Sequence, residues 1–256
     1  MVLPEHATTR TLVVVPAYNE IDTVASVVRN IRASGLPVLV VDDGSRDATA
    51  AAARTAGATV LQLPFNLGVG GALRCGFRWA VANGYDTAIQ CDADGQHDAS
   101  ELHRLIGAAV ERDAHLLVGS RFGETEGFKA TRARRIPMRL LSRIATRSAK
   151  TSMTDASSGF RVIREPLLSE FARAYPVHYL GDTFEVLVQA GRKGYRVSEL
   201  PVTMHARAGG TPSAGTGASM RFLLRALVAL MIGSGAEYRQ FENDPSIAAG
   251  TGRPTP

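Results

Sequence analysis

The sequence predicts an α/β fold: one domain with a mainly parallel sheet flanked by helices. Three observations predict it. Short β-rich runs alternate with helix-spaced segments through the first half. The strand runs are apolar at nearly every position, as in strands covered on both faces. Acid- or glycine-bearing turns follow the first four strand runs, where ligands of open α/β sheets bind. Hydrophobic residues make up 45% and charged residues 21% of the 256 positions, which excludes a disordered chain.

Each element has its own warrant. Thr11–Val15 is a β-rich run stopped by Pro16, and Ile21, Val24, Val27, Val28 and Ile31 give Glu20–Ser34 a helical spacing. Val38–Val41 is a second strand, Asp47–Ala56 a helix, and Thr59–Leu63 a third strand. Gly71–Ala82 reads as a helix, Thr87–Cys91 as a fourth strand, Ala99–Glu111 as a helix and His115–Val118 as a fifth strand. The second half is less regular. Arg132–Ser148 reads as a helix started or kinked at Pro137. Gly159–Arg164 reads as a strand, Leu167–Ala174 and Thr183–Ala190 as helices, and Tyr195–His205 as a strand interrupted by Pro201. Ala208–Ser219 is a loop, Met220–Ile232 a last helix, and the polar tail 236–256 is expected to be disordered. Residues 1–10 form an N-terminal extension, and 11–235 the domain, with halves divided at about 121/122.

The formal charge of +5 is local. Between Lys129 and Lys150 there are eight basic residues and no acidic one. A chain basic throughout would point to nucleic acid; one basic stretch points to one anionic contact, and no nucleic-acid partner is expected. Two cysteines without a CxxC make neither a disulfide framework nor a zinc knuckle. The longest apolar stretch, Phe222–Ile232, is interrupted by Arg225 and falls short of the ~20 residues of a spanning helix. A cytoplasmic protein is expected.

The strand ends carry the chemistry. They are Pro16-Ala17-Tyr18-Asn19-Glu20, Asp42-Asp43-Gly44-Ser45, Asn66-Leu67-Gly68-Val69-Gly70-Gly71 and Asp92-Ala93-Asp94-Gly95-Gln96-His97. Singly, each also reads as a cap, turn or loop; four on one edge point to a shared pocket. Asp92 and Asp94, two apart where the chain turns, can converge on one hard cation with Gln96 as a third oxygen donor. Oxygen ligands favour Mg²⁺ or Mn²⁺. Position six of an EF-hand counted from Asp92 would be His97 instead of Gly, which excludes that loop. The glycine cluster lacks the last Gly of a dinucleotide fingerprint, and there is no Walker A sequence.

From about Thr11 to Leu230 the chain resembles family 2 glycosyltransferases of the GT-A (Rossmann-like) fold, nearest to dolichol-phosphate mannosyltransferase and bacterial polyprenyl-phosphate glycosyltransferases. The four strand-end motifs, Gly119-Ser120-Arg121 and Asp155-Ala-Ser-Ser-Gly159-Phe160-Arg161 carry the resemblance. It implies an inverting, metal-dependent transfer of a hexose, mannose or glucose, from a GDP- or UDP-sugar. It implies donor binding by Pro16, Tyr18, Glu20, Asp42, Asp43, Asn66, Gly68, Asp92, Ala93, Asp94 and Arg121. The metal ligands on this reading are Asp92, Asp94 and Gln96, and the catalytic positions are Asp94, Arg121 and Asp155.

The implied acceptor is polyprenyl phosphate, gripped by Arg134, Arg135, Arg139 and Arg207. A phosphate acceptor is an anion near neutral pH and needs positive charge instead of a base. Arg135, Arg139, Arg143 and Arg147 recur every four residues beside Ile136, Leu140 and Ile144, a basic amphipathic pattern suited to an anionic membrane surface. That places the protein peripherally on the inner face of the membrane; a solvated, core-packed helix face is the plainer reading of the same pattern. Two departures touch the acceptor side: no Lys follows Gly209-Gly210, and Met138 stands where a small polar residue is expected. Transfer to a saccharide hydroxyl is the alternative, with Asp155, Asp182 or Glu185 as base. More remote are a non-catalytic nucleotide-sugar-binding module and a haloacid-dehalogenase-like phosphatase. The latter wants Thr, not Gln96, after Asp92-Ala93-Asp94-Gly95, and its motif on the first strand.

Overall fold

The computed structural model describes residues 10–121, 153–155, 158–175 and 182–205. The strands are β1 (Thr11–Ala17), β2 (Val38–Asp42), β3 (Thr59–Gln62), β4 (Thr87–Gln90), β5 (Leu116–Ser120), β6 (Arg161–Arg164) and β7 (Val197–Pro201). The helices are α1 (Val24–Ala33), α2 (Thr49–Thr55), α3 (Gly68–Ala82), α4 (Leu102–Glu111), α5 (Leu167–Ala174) and α6 (Asp182–Arg192). The helix predicted over Arg132–Ser148, the loop at Ala208–Ser219, the last helix and the tail lie outside the described residues.

The seven strands form one sheet in the order β3-β2-β1-β4-β6-β5-β7. All neighbouring pairs are parallel except those made by β6, which runs antiparallel between β4 and β5. The sheet is therefore mainly parallel, as expected, with one reversed strand. The carboxyl ends of β1, β2, β4 and β5 all reach the same edge.

Alternation along β1 assigns the two layers. Val13, Val15 and Ala17 join a core with Val24, Val27, Val28 and Ile31 of α1, Ala53 of α2 and Leu102, Leu105 and Ile106 of α4. Val14 faces the other side, where Gly76 of α3 lies against it. On that side Phe77 of α3, Phe171 of α5 and Tyr175 form an aromatic cluster with centroids 5.2–6.4 Å apart. With both faces covered, all seven residues of β1 are buried.

Three boundaries differ from the sequence expectation. β1 continues through Pro16, which pairs in register with Val41. Parallel pairing with β4 ends at Val14–Gln90, and Val14 O takes the Cys91 N–H. Pro16, two residues on, turns its nitrogen to the same side, beyond the last rung, where a missing N–H costs no bond. The helix expected from Gly71 starts at Gly68, because Asn66 Oδ1 and Asp43 Oδ1 accept the Gly68 and Leu67 N–H groups of its first turn. The last described strand stops at Pro201 instead of continuing across it.

Glu170 of α5 accepts the Tyr195 hydroxyl at 2.6 Å and pairs with Lys193, tying α5 to the turn after α6. The hydrogen bond to Glu170, then burial, push the Tyr195 pKa up to about 12. Burial opposes ionisation of Glu170, but Lys193 and Tyr195 outweigh it and hold its pKa below the ordinary value. A folded-state pKa above the unfolded value of about 10 stabilises fully below pH ~10 and loses that contribution as pH rises towards 12. Tyr195→Phe should therefore be less stable by about 1 kcal/mol at pH 8. In urea unfolding followed across pH, the gap to wild type should close on the alkaline side; a gap constant to pH 12 refutes the coupling.

Candidate active site

The loop after β1 is stapled to the loop after β2. Asn19 donates its N–H to Ser45 Oγ and accepts the Arg46 N–H at its Oδ1, each at 2.9 Å, and the Glu20 N–H reaches Thr49 Oγ1 at 2.9 Å. Asn19 has φ 54°, a left-handed conformation that asparagine tolerates better than most residues. Tyr18 stands beside it, 42% exposed.

Asp42 and Asp43 are buried at the end of β2. Asp42 Oδ1 accepts the Ser45 N–H at 3.2 Å. Its Oδ2 is buried with no hydrogen-bond partner among the described residues, a state that costs on the order of 1–3 kcal/mol in a folded protein and marks a place for a donor. Asp43 Oδ1 takes the Leu67 N–H at 2.7 Å and thereby fixes the start of α3. Burial raises the Asp43 pKa, with the backbone N–H groups of Leu67 and Gly68 working against the shift. Between these loops Gly44 has φ 72°, and a Cβ there would stand 2.7 Å from the Phe65 carbonyl carbon. Only glycine lets the loop after β3 close over the aspartates.

The loop after β4 holds the acidic pair. Asp94 Oδ1 accepts the Gln96 N–H at 3.0 Å, closing an Asx turn. Asp94 is only 4% exposed, whereas the Asp92 side chain keeps 38% of its surface. The partner presented to solvent is thus Asp92. Ala93 between them is buried. The loop is anchored again at its far end, where His205 N donates to Gln96 O at 2.8 Å and Asp98 pairs with His205 at 3.3 Å. Burial works against the Asp98 carboxylate, but hydrogen bonds from Ser100 and the neighbouring His205 lower its pKa.

After β5, the Arg121 guanidinium binds Asp155 in a bidentate pair, Nε donating to Oδ2 at 2.7 Å and Nη2 to Oδ1 at 2.9 Å. Asp155 is fully buried and Arg121 is 27% exposed. The hydrogen bond to Asp155 pushes the Arg121 pKa up against burial, and Asp92 adds to the shift, so Arg121 senses the acidic loop. Glu199 of β7 accepts the Thr154 and Asp155 N–H groups at 2.7 Å each. The Ser120 and Thr154 hydroxyls meet at 3.0 Å.

The structure thus gathers Pro16, Tyr18, Glu20, Asp42, Asp43, Asn66 and Gly68 at one part of the edge, with Asp92, Ala93, Asp94 and Gln96 after β4 and Arg121 with Asp155 after β5. Of the candidate bases, Asp155 is occupied by Arg121, and Glu185 bonds Gln189 within α6. Arg134, Arg135, Arg139 and Arg207 lie outside the described residues. Glu199 and Gly159 were not among the sequence candidates: Glu199 sits in an unremarkable strand, and Gly159 reveals itself only by what it touches.

A mainly parallel α/β sheet with an acidic edge at its strand ends is the architecture of GT-A glycosyltransferases. The chain belongs to glycosyltransferase family 2, whose model, described as glycosyl transferase family 2, matches residues 12–171. It is 31% identical over 214 residues to a polyprenol monophosphomannose synthase of Mycolicibacterium smegmatis, covering 78% of this chain and 79% of that protein. It is 32% identical over 206 residues to an undecaprenyl-phosphate mannosyltransferase of Micrococcus luteus, covering 76% and 83%. A solved structure of glucosyl-3-phosphoglycerate synthase from Mycobacterium tuberculosis with Mg²⁺ and uridine diphosphate superposes with a TM-score of 0.70 over 91% of this chain and 83% of that one. At 20% identity that likeness shows the fold alone.

Asp155→Ala removes the bidentate acceptor from Arg121. Breaking a buried ion pair costs about 3–5 kcal/mol, and the partial exposure of Arg121 places this case near 3 kcal/mol. Urea unfolding should show the loss as a lower midpoint at unchanged slope; an unchanged midpoint would remove the pair from the structural account.

Proposed function

We propose that this glycosyltransferase moves a hexose, mannose or glucose, from a GDP- or UDP-sugar to polyprenyl phosphate with inversion at the anomeric carbon. The observation that carries the donor half is the buried, partnerless Asp42 Oδ2 on the edge that presents Asp92. A nucleoside supplies the N–H or O–H donor that this oxygen lacks. Tyr18 offers a ring face beside it.

Asp92, Asp94 and Gln96 would hold a divalent cation, Mg²⁺ or Mn²⁺. Among the described residues no group of three or more His, Cys, Asp or Glu side chains could enclose a metal. One or two carboxylates completed by phosphate oxygens and water are the usual holding of Mg²⁺, so the donor set fits an ion that arrives with the nucleotide. Such an ion neutralises charge on the departing nucleoside diphosphate.

The acceptor half is supported by the names of the two relatives and by the arginine row. An attacking phosphate oxygen carries its own negative charge and needs no base. That suits a site in which Asp155 is already spent on Arg121. In this reading Asp155 acts in catalysis by orienting that guanidinium towards the donor phosphates or sugar. No helix among the described residues is long and apolar enough to cross a membrane. The basic segment then provides a peripheral hold on an anionic, inner-face surface.

Purified protein incubated with labelled GDP-mannose or UDP-glucose, Mn²⁺ and polyprenyl phosphate should yield an organic-extractable sugar lipid, lost on adding EDTA. Label passing only to a saccharide would overturn the lipid-phosphate reading. Asp42→Ala should weaken nucleoside diphosphate binding tenfold to a hundredfold by calorimetry, since a hydrogen bond to a charged group is worth about 1.5–3 kcal/mol; unchanged affinity removes Asp42 from the pocket. Replacing Arg139, Arg143 and Arg147 by Gln should lower binding to phosphatidylglycerol vesicles by roughly two orders of magnitude, at about 1 kcal/mol per basic residue. Equal sedimentation of wild type and variant would leave that segment a solvated helix face.

A further inference from the structure

We propose that His97 is a positioning residue for Asp92, working with a glycine shelf at Gly159. The inference rests on the reading of Asp92 as a metal ligand. The imidazole is held on every side. Its ring lies on Phe160 with centroids 4.6 Å apart and an interplanar angle of 7°. Its side chain is only 5% exposed. Nδ1 accepts the Asp92 backbone N–H at 2.9 Å. A nitrogen that accepts carries no proton, so the ring hydrogen sits on Nε2. Nε2 in turn lies 3.6 Å from Asp92 Oδ2. One ring therefore bonds the backbone of this aspartate and stands beside its carboxylate, with Nε2 within ion-pair distance of Oδ2.

The same carboxylate is also limited by Gly159. A Cβ there would stand 2.9 Å from Asp92 Oδ2 and 3.1 Å from Oδ1. The carboxylate thus has an imidazole edge and a bare backbone close by, which limits its choice of rotamer. The loop itself is pinned from outside, since His97 bridges Met204 and His205 donates to Gln96 O. The more exposed of the two acids, Asp92, is the one with most freedom to lose. A carboxylate fixed before the cation arrives has less rotamer entropy to surrender on binding it, and outer partners of metal ligands typically contribute 10–100-fold in affinity.

The test is Mn²⁺ binding by electron paramagnetic resonance of the free ion, alone and with UDP or GDP, on the full chain, with a thermal melt of each variant. His97→Ala should weaken Mn²⁺ binding about tenfold or more while metal-free binding of the nucleoside diphosphate is kept. His97→Gln, whose amide N–H reaches about as far as Nε2, should retain more affinity than His97→Asn, whose shorter amide can replace only Nδ1. Gly159→Ala, which crowds the same carboxylate, should also weaken Mn²⁺ binding, and it decides the matter if His97→Ala does not fold. Wild-type Mn²⁺ affinity in a folded His97→Ala protein overturns the proposal. So does equal weakening in Gln, Asn and Ala variants that melt equally early, which is the pattern of a merely structural histidine. Asp92→Asn separates the two layers of the argument: if it binds Mn²⁺ like wild type, the metal reading itself fails, whereas loss there with no loss at His97 or Gly159 refutes only the positioning role.

Discussion

The site depends on the parting of β1 from β4. The two strands pair in parallel up to Val14 and Gln90, and there the ladder stops. β1 runs on beside β2 for three more residues, through Pro16 to Ala17. The proline makes the parting permanent, because its nitrogen has no hydrogen to offer a fourth-strand carbonyl. β2 and β3 lie to one side of β1 and β4 to the other, so this is also where the direction of winding reverses. Beyond such a reversal the loops diverge and leave a crevice. The loop carrying Tyr18 leaves one wall and the loop carrying Asp92 leaves the other.

A second constraint governs the far wall. The reversed strand β6 inserts between β4 and β5, and the chain just ahead of it runs back along the acidic edge. That segment does two things at once. Asp155 meets Arg121 across the end of β5, and Gly159 passes beneath Asp92. Glu199 on the edge strand β7 holds the segment by two consecutive N–H groups. An arginine held at Nε and Nη2 by a buried carboxylate cannot sweep through solvent, and it presents its charge from one place beside the acidic loop.

Much of the first half was legible because its signals are local. Apolar runs, helical spacing and turn residues each lie within a few positions, and the strand-end motifs follow directly from them. The reach of β1 past Pro16 was not legible, since it depends on where β4 stops, some 75 residues away. The start of α3 at Gly68 was hidden for the same reason: glycines argue against a helix, and the carboxylate of Asp43 that anchors the turn lies 24 residues earlier. Asp92 and Asp94 carry the same signal in the sequence, yet Asp94 is buried in its Asx turn with Gln96 while Asp92 stays partly exposed. Arg121 and Asp155 were named as candidates from resemblance, but their mutual occupation is a fact of packing. Glu199 carries no motif at all; its role arises from a contact 44 and 45 residues distant.

The carboxylates of this edge also build it. Asp42 closes its own loop on Ser45, Asp43 anchors α3 at Leu67, Asp94 closes a turn on Gln96, and Asp155 clamps Arg121. Each buried acid needs such a partner, because a carboxylate taken from water without hydrogen bonds is too costly to keep ionised. The consequence is that the candidate binding groups are also the scaffold of the edge. Removing one acid loosens the loop that aims its neighbours. Energetic effects of substitutions along the edge should therefore be non-additive. The arrangement also explains how so many acids can share one edge: Asp42, Asp43, Asp94 and Asp155 each turn an oxygen to an N–H group of the protein, which leaves the partly exposed Asp92 as the acid facing solvent and the buried Asp42 Oδ2 as an acceptor without a partner among the described residues. Those two points lie at the carboxyl ends of β4 and β2, which flank β1 on its two sides.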